Sequence, residues 1–123
     1  MTIPRLGDIA FARSGDKGGG ANIGVAAFTA EGYAWLEEHL TAECVEDWFK
    51  PMGCGTVSRH ALPNIRAFNF LLPGVLAGGG SRSLRIDAQG KALGQVLLEM
   101  PIDIDPATLD AARDPERGGE ETP

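Results

Sequence analysis

Residues 15–21 read Gly-Asp-Lys-Gly-Gly-Gly-Ala, and this glycine-rich segment constrains the fold more than any other stretch of the chain. Ordering glycine in a regular element costs more backbone entropy than ordering any other residue, so such a run favours a loop. The segments on either side, residues 5–14 and 22–29, place apolar residues among small ones and predict strands. We therefore expect a loop that joins two strands.

The next segment has the apolar spacing of an amphipathic helix. Leu36, Leu40, Cys44 and Trp48 follow one another at intervals of four residues. Thr29 is suited to cap a helix that begins near Ala30, with a break expected near Thr41. The sequence Lys-Pro-Met-Gly at residues 50–53 ends the helix with a base, a proline and a glycine.

Beyond this helix the sequence predicts a third strand, a second helix and a hairpin. Residues 56–62 favour a strand, and the spacing of Ile65, Phe68 and Leu72 favours a helix over residues 64–76. Residues 81–87 and 92–100 are interpreted as two strands joined by a turn at residues 87–90. This order predicts an antiparallel or mixed sheet with two helices on one face.

Charge divides the chain into a domain at residues 1–102 and an acidic tail at residues 103–123. The 11 Lys and Arg residues face 17 Asp and Glu residues, and seven of those acids lie in the tail. The tail is expected to be flexible, and residues after about Ile104 to contribute little to the core. Outside residues 31–47 the domain has nine bases and four acids, so it is suited to an anionic small molecule. Because the whole chain is acidic, nucleic acid is a poor partner.

Several functional classes find little support in the composition. No apolar run approaches the roughly 20 residues that span a bilayer, and the first residues lack the apolar centre of a secretory signal. We therefore expect a cytoplasmic protein that makes no membrane contact. Two cysteines and two histidines are too few for a disulfide framework or a metal cluster, so we expect no metal.

The residues with the clearest chemical potential surround the glycine segment. Consecutive glycines let backbone N–H groups turn toward one anion, while Lys17 adds a positive charge and Asn22 an amide. Asp16 and Lys17 are also candidates for a catalytic base and acid. The substrate-binding candidates here are Arg13, Ser14, Asp16, Lys17 and Asn22. In the alternative interpretation the segment is a hairpin loop in which Asp16 and Lys17 pair only with each other.

A second glycine cluster, residues 78–80, precedes Arg82 and Arg85. Arg82 is a candidate to hold a carboxylate through two hydrogen bonds, although an ordinary surface arginine on a strand remains the alternative. Cys54 and His60 make a weak case for a nucleophilic pair, because their separation of six residues in the sequence is the only argument for it and does not bring the two side chains together in space.

These segments together resemble the small ferredoxin-like C-terminal domain of the AtuA (acyclic terpene utilisation) family over residues 5–101. The motifs, in order, are Ala-Arg-Ser-Gly-Asp-Lys-Gly at 12–18, Asn-Ile-Gly at 22–24, Leu-Pro-Asn at 62–64, Phe-Asn-Phe at 68–70, Gly-Gly-Gly at 78–80, Arg-Ser-Leu-Arg at 82–85 and Gly-Lys at 90–91. In that family the domain is often fused behind a much larger one, and it also occurs as a separate short chain. The present sequence is similar to the free-standing form.

The resemblance implies a ferredoxin-like α+β sandwich with two helices on one face of a mostly antiparallel sheet. It also implies a small subunit that joins a larger AtuA-type subunit in the breakdown of branched or terpenoid acyl compounds. The substrate is expected to be a CoA thioester, with no separate cofactor, and a homo-oligomer is a second candidate assembly. Two alternatives stay open: a self-sufficient lyase or hydratase that uses Asp16 and Lys17, and a purely structural docking partner.

The chain departs from the family pattern at two points. An acidic residue that relatives often have just after Asp-Lys-Gly is Gly19 or Gly20 here, and a histidine of the late hairpin is Gln89. If either group is catalytic in relatives, this chain lacks it.

Overall fold

A computed structural model describes residues 3–17, 20–74 and 93–113; at residues 16 and 17 it describes the backbone only. Within these residues four strands and four α-helices follow one another along the chain. They are β1 (Ala10–Lys17), β2 (Gly20–Ala27), α1 (Ala30–His39), α2 (Ala42–Phe49), β3 (Ser58–Leu62), β4 (Ala67–Leu72), α3 (Leu93–Leu98) and α4 (Pro106–Ala112).

The strands form one antiparallel sheet in the order β1-β2-β4-β3. Successive side chains of a strand point to opposite faces, and burial follows that alternation. The side we call the covered face carries buried apolar residues: Ala21, Ile23, Val25, Phe68, Phe70 and Leu72. The opposite side, the open face, carries the residues between them: Asn22, Gly24, Ala26, Asn69 and Leu71.

The helices pack on the covered face. A Cβ atom placed on Gly94 of α3 would lie 3.1 Å from the Cβ of Ala12 in β1, so glycine permits the close contact of helix and strand. Helix α4 packs on α1, where Ala112 is fully buried beside Gly32. The result is a two-layer α+β sandwich that confirms the expected ferredoxin-like fold class, with four described α-helices in place of the two expected.

The predicted break in the first helical segment is confirmed. Thr29 accepts a hydrogen bond from the Gly32 N–H at 3.0 Å and caps α1. Thr41 accepts one from the Cys44 N–H at 3.1 Å and caps α2, so the two helices are separate. After α2 a short 3₁₀ turn ends at Gly53, whose φ of 79° suits glycine.

The prediction of a helix over residues 64–76 is wrong, because residues Ala67–Leu72 form the strand β4. Residues Pro63–Ile65 form a 3₁₀ turn, and Arg66 then takes a φ of 54° that reverses the chain. Leu62 therefore pairs with Ala67, and β4 returns along β3. The alternation of Phe68, Phe70 and Leu72 on one face determines the structure, and the helical spacing of Ile65, Phe68 and Leu72 is coincidental.

The prediction of a strand over residues 92–100 is also wrong, because residues Leu93–Leu98 form the helix α3. Leu93, Gly94 and Leu97 are buried at helical spacing against β1. The strand expected over residues 81–87, the turn at 87–90 and Arg82 lie outside the described residues.

The first two strands differ from their expected bounds. Residues Leu6–Asp8 form a 3₁₀ turn, so β1 begins at Ala10 and not at residue 5. The expected loop over residues 15–21 is shorter than predicted, because Gly15 pairs with Asn22, Asp16 with Ala21 and Lys17 with Gly20. Antiparallel pairing therefore continues into the glycine-rich segment.

Residues 103–113, which the sequence assigns to the acidic tail, contain α4. Asp105 caps this helix, and Ala112 is buried against α1. The expectation that residues after about Ile104 contribute little to the core is therefore not met at Ala112. Residues 114–123 lie outside the described part, and the division of the chain at residue 102 stays a prediction.

Candidate functional site

The structure separates the residues that the sequence groups around the glycine segment. Arg13 and Asn22 lie on the open face, whereas Ser14 lies on the covered face, where its Oγ accepts a hydrogen bond from the Gly94 N–H at 3.1 Å. Asp16 and Lys17 are placed only through their backbone pairing. Ser14 therefore has a structural contact, and the open face brings Arg13 and Asn22 to one side of the sheet.

A band of polar side chains crosses the open face. Across the four strands, Arg13 pairs with Gly24, Gly24 with Asn69 and Asn69 with His60. Asn22 Nδ2 donates a hydrogen bond to Asn69 Oδ1 at 3.2 Å. We call the set of Arg13, Asn22, Asn69, His60 and Ser58 the polar band.

At one end of the polar band, the Ser58 Oγ and the His60 Nε2 lie 3.2 Å apart. These residues stand two positions apart on β3, so both side chains point to the open face. Both are exposed, and their hydroxyl and imidazole can form further hydrogen bonds. His60 therefore belongs to the polar band, whereas the thiol of Cys54 donates to the Gly55 carbonyl at 3.3 Å.

Two glycines leave room within the band. Only the Arg13 carbonyl oxygen, at 3.9 Å, comes within 4 Å of a Cβ built on Gly24. A Cβ on Gly15 would lie 3.1 Å from the Asn22 Oδ1. Gly24 therefore forms an uncovered floor between Arg13 and Asn69, and Gly15 makes room for the Asn22 amide.

The open face carries no acidic side chain at any of its described strand positions. Arg13 is exposed and forms no ion pair within the described residues. Acidic residues instead line α1 and α2 on the other side of the sheet: Glu31, Glu37, Glu38, Glu43, Glu46 and Asp47. In a chain with a net charge of −6, the open face is thus the side suited to an anion.

An apolar row borders the polar band. Phe11, which is 49% exposed, pairs with Ala26, then Ala26 with Ala67 and Ala67 with Leu62. The Phe28 ring stacks on Phe11 with ring centroids 5.7 Å apart. We call these residues the apolar row; its centre is formed by two small alanines between larger side chains.

A cleft of about 600 Å³ lies at the end of the sheet opposite the apolar row. It includes two hydroxyl groups and two glycines, and it shares Ser58 with the polar band. Its lining residues are Gly20, Ala21, Thr56, Ser58, Leu71, Leu72, Pro73 and Gly74. None of these residues is charged, so the cleft offers hydrogen bonds and apolar contact without an anchoring charge.

A second cleft of about 500 Å³ lies on the helical side and has the opposite character. Trp35 stacks on His39 there, with ring centroids 4.6 Å apart. Its lining residues are Glu31, Ala34, Trp35, Glu38, His39, Asp103, Ile104, Asp105 and Thr108. Because four of them are acids, this cleft does not suit the expected anionic ligand.

The thiols and potential metal ligands give no separate site. Burial, with a smaller contribution from Asp47, raises the pKa of the Cys44 thiol, and burial with Glu46 raises that of Cys54. A raised pKa lowers the thiolate fraction that a nucleophile needs. Within residues 3–17, 20–74 and 93–113, no three His, Cys, Asp or Glu side chains form a metal-binding group.

The sequence pattern alone does not predict that Asn69, Ser58 and His60 belong to the polar band. The signal for Asn69 was the alternation Phe68-Asn69-Phe70, in which a polar residue between two buried aromatics indicates a strand with one solvent-facing side. The interpretation of residues 64–76 as a helix obscured it. The band becomes visible only once β4 is placed between β2 and β3.

The comparison with protein families agrees with the motifs and the fold. The sequence profile of the AtuA ferredoxin-like domain matches residues 4–103, which is most of the chain. Comparison with curated proteins and with solved structures gives no match. No helix among the described residues is long and apolar enough to cross a membrane. The chain therefore belongs to the AtuA ferredoxin-like domain family.

Proposed function

We propose that this chain is the small, accessory subunit of an AtuA-type protein that acts on branched or terpenoid acyl-CoA or related carboxylated substrates. The open face carries the proposal. All described helices pack on the other side, and Phe11, Leu62 and Leu71 remain exposed on this one. An exposed apolar row bordered by polar groups is typical of a surface that contacts another protein or a ligand.

The subunit contributes two things in this proposal. The large exposed side chains of the apolar row, Phe11 and Leu62, contact the larger subunit, and the polar band, with Arg13 and Asn22, faces an anionic part of the substrate at the boundary. Family membership supports this assignment, because relatives of this domain are often joined to a much larger one. The CoA thioester is the substrate in this proposal, with no additional cofactor, and the anion site that the sequence suggests at the glycine segment and Lys17 stays a prediction.

Co-purification tests the accessory role directly. Co-expression with a larger AtuA-type subunit should give one complex in size-exclusion chromatography, and the larger subunit should raise the Tm of the small one. Sedimentation of the small chain alone determines whether it also forms a homo-oligomer. Two separate peaks without mutual stabilisation contradict the proposal, as does full turnover by the small chain alone.

Substitutions in the apolar row locate the contact. Phe11→Ser and Leu62→Ser should each weaken the complex by about tenfold or more, because each removes exposed apolar area from the interface. Ile3→Ser is the matched control, since Ile3 is 62% exposed but lies outside the sheet. Equal effects of all three substitutions would show that the open face is not the contact.

A further inference from the structure

The polar band and the apolar row lie side by side on the open face. Gly24 and Ala26 are two residues apart on β2, and so are Asn69 and Ala67 on β4. Two residues along a strand correspond to about 7 Å. A ligand with a charged head and a short apolar tail therefore spans both sets in one orientation.

We propose that the open face binds a short branched carboxylate, with the carboxylate over Gly24 and the alkyl group over Ala26. The inference deepens the proposed function, on which its choice of an acyl ligand rests. Arg13 and Asn69 flank Gly24, and paired Cα atoms of adjacent antiparallel strands are about 5 Å apart. The head group therefore has donors on both sides of an uncovered floor.

The donors suit a carboxylate. The Arg13 guanidinium presents parallel N–H groups that match the two carboxylate oxygens. Asn69 uses its Oδ1 to accept from Asn22, which leaves its own NH₂ group as a donor. The absence of acidic residues from the described open-face positions removes the repulsion that an anion meets elsewhere on this chain.

The direction of the tail follows from the neighbours of Gly24. On one side, the hydrogen-bonded amides of Asn22 and Asn69 form a polar boundary between Gly24 and the cleft near Pro73. On the other side lie Ala26, which is partly exposed, and the exposed side chain of Phe11, whereas Ala67 beyond them is only 4% exposed. A branched alkyl group thus gains apolar contact only toward Ala26.

Nuclear magnetic resonance titration of the isotope-labelled full chain tests this inference with 3-methylbutanoate as the probe. Backbone amide signals of Gly24, Ala26 and Asn69 should shift, with an affinity of about millimolar because the site is shallow. The neutral 3-methylbutanamide and inorganic phosphate are the comparison ligands. Each should bind at least about tenfold more weakly, since the first lacks the charge and the second lacks the tail.

Two substitutions test the contacts. Gly24→Val fills the floor and should abolish the shifts, while the space around Gly24 lets the strand accept the side chain. Arg13→Gln removes the charge and should weaken binding about tenfold. This second variant tests the inference independently of whether Gly24→Val folds. Glu38→Gln, on the exposed side of α1, is the control and should leave the affinity unchanged.

Three results would overturn the inference: absence of shifts, shifts confined to residues around Pro73 and Gly74, or equal affinity for all three ligands. None of them affects assembly with a larger subunit, which co-purification measures separately. Conversely, binding of 3-methylbutanoate without complex formation would leave the carboxylate site intact and contradict the accessory role.

Discussion

The two faces of the sheet are built from the same four strands, yet they present different chemistry. The covered face joins Ile23, Val25, Phe68 and Phe70 to the helices in a continuous apolar core. The open face places amides, an imidazole, a guanidinium and two glycines at the alternating positions. Because adjacent residues of one strand belong to opposite faces, neighbouring substitutions separate stability from ligand binding.

The largest difference in the free energy of unfolding is expected between alanine substitutions at Phe70 and Leu71, which are neighbours in β4. Phe70→Ala removes a fully buried ring from the core and should lower the free energy of unfolding by about 3–5 kcal/mol. Leu71→Ala changes a side chain that is 36% exposed on the open face and should cost about 1 kcal/mol or less. Urea unfolding of both variants measures the contrast, and equal losses would show that the open face is also part of the core.

Arg59 and His60 extend the comparison to β3. The Arg59 Nη1 donates to the carbonyls of Glu37 and Leu40 at the end of α1, at 3.1 and 2.9 Å. The guanidinium also lies 4.5 Å from the centre of the Phe68 ring, so it joins helix and sheet.

Arg59→Ala should therefore lower the free energy of unfolding by about 2 kcal/mol, because helix carbonyls lose a charged donor and Phe68 loses a cation–π partner. His60→Ala, on the exposed side, should change it by about 0.5 kcal/mol or less. Denaturant unfolding measures both values, and Arg59→Lys, which keeps the charge without the planar fork, should lie between them. A His60→Ala loss as large as that of Arg59→Ala would assign a structural role to the polar band.

Local signals predicted the first half of this fold well, since each signal lay within a few residues. Thr29 and Thr41 cap their helices as expected, and Gly53 ends the segment. The error over residues 64–76 has a different origin. Ile65, Phe68 and Leu72 satisfy a helical period, while Phe68, Phe70 and Leu72 satisfy a strand period, and only pairing with β2 and β3 decides between them.

Prediction of the candidate site depends even more than prediction of the fold on which strands pair with one another. Arg13 and Asn22 were selected for their nearness to the glycine segment, and the hairpin register places both on the open face. Ser14 lies between them in the sequence but faces α3. Asn69 and His60 join the band because β4 lies between β2 and β3, and no local pattern contains that strand order.

Alanine substitutions at Arg13 and Ser14, which are neighbours in β1, should differ less in the free energy of unfolding. Ser14→Ala leaves the N–H of the buried Gly94 without its hydroxyl acceptor and should lower the free energy of unfolding by about 1 kcal/mol. Arg13→Ala removes an exposed side chain that makes no ion pair within the described residues, so the change should stay within about 0.5 kcal/mol. Thermal and urea unfolding measure both, and a larger loss for Arg13→Ala would show that its role is structural.

The last contrast concerns Asp105, which caps α4 where this helix packs on α1. Its Oδ1 accepts from the Thr108 hydroxyl at 2.6 Å, and its Oδ2 accepts from the Thr108 N–H at 3.1 Å. These hydrogen bonds, the side-chain one first, hold the pKa of Asp105 below its ordinary value of 3.8. The ionised form is thus favoured in the folded chain over the unfolded one.

The stabilisation by Asp105 is therefore fully present above pH 3.8 and is lost as the pH falls through the lower pKa of the folded state. Asp105→Ala should lower the Tm by a few degrees at neutral pH, because Thr108 loses its cap, and the difference from the original chain should shrink on acidification. Asp110→Ala, an exposed position of the same helix with no capping role, is the control at neutral pH. An Asp105→Ala variant with an unchanged Tm at neutral pH would mean that this cap does not stabilise the domain, in agreement with the expected flexible tail from residue 103.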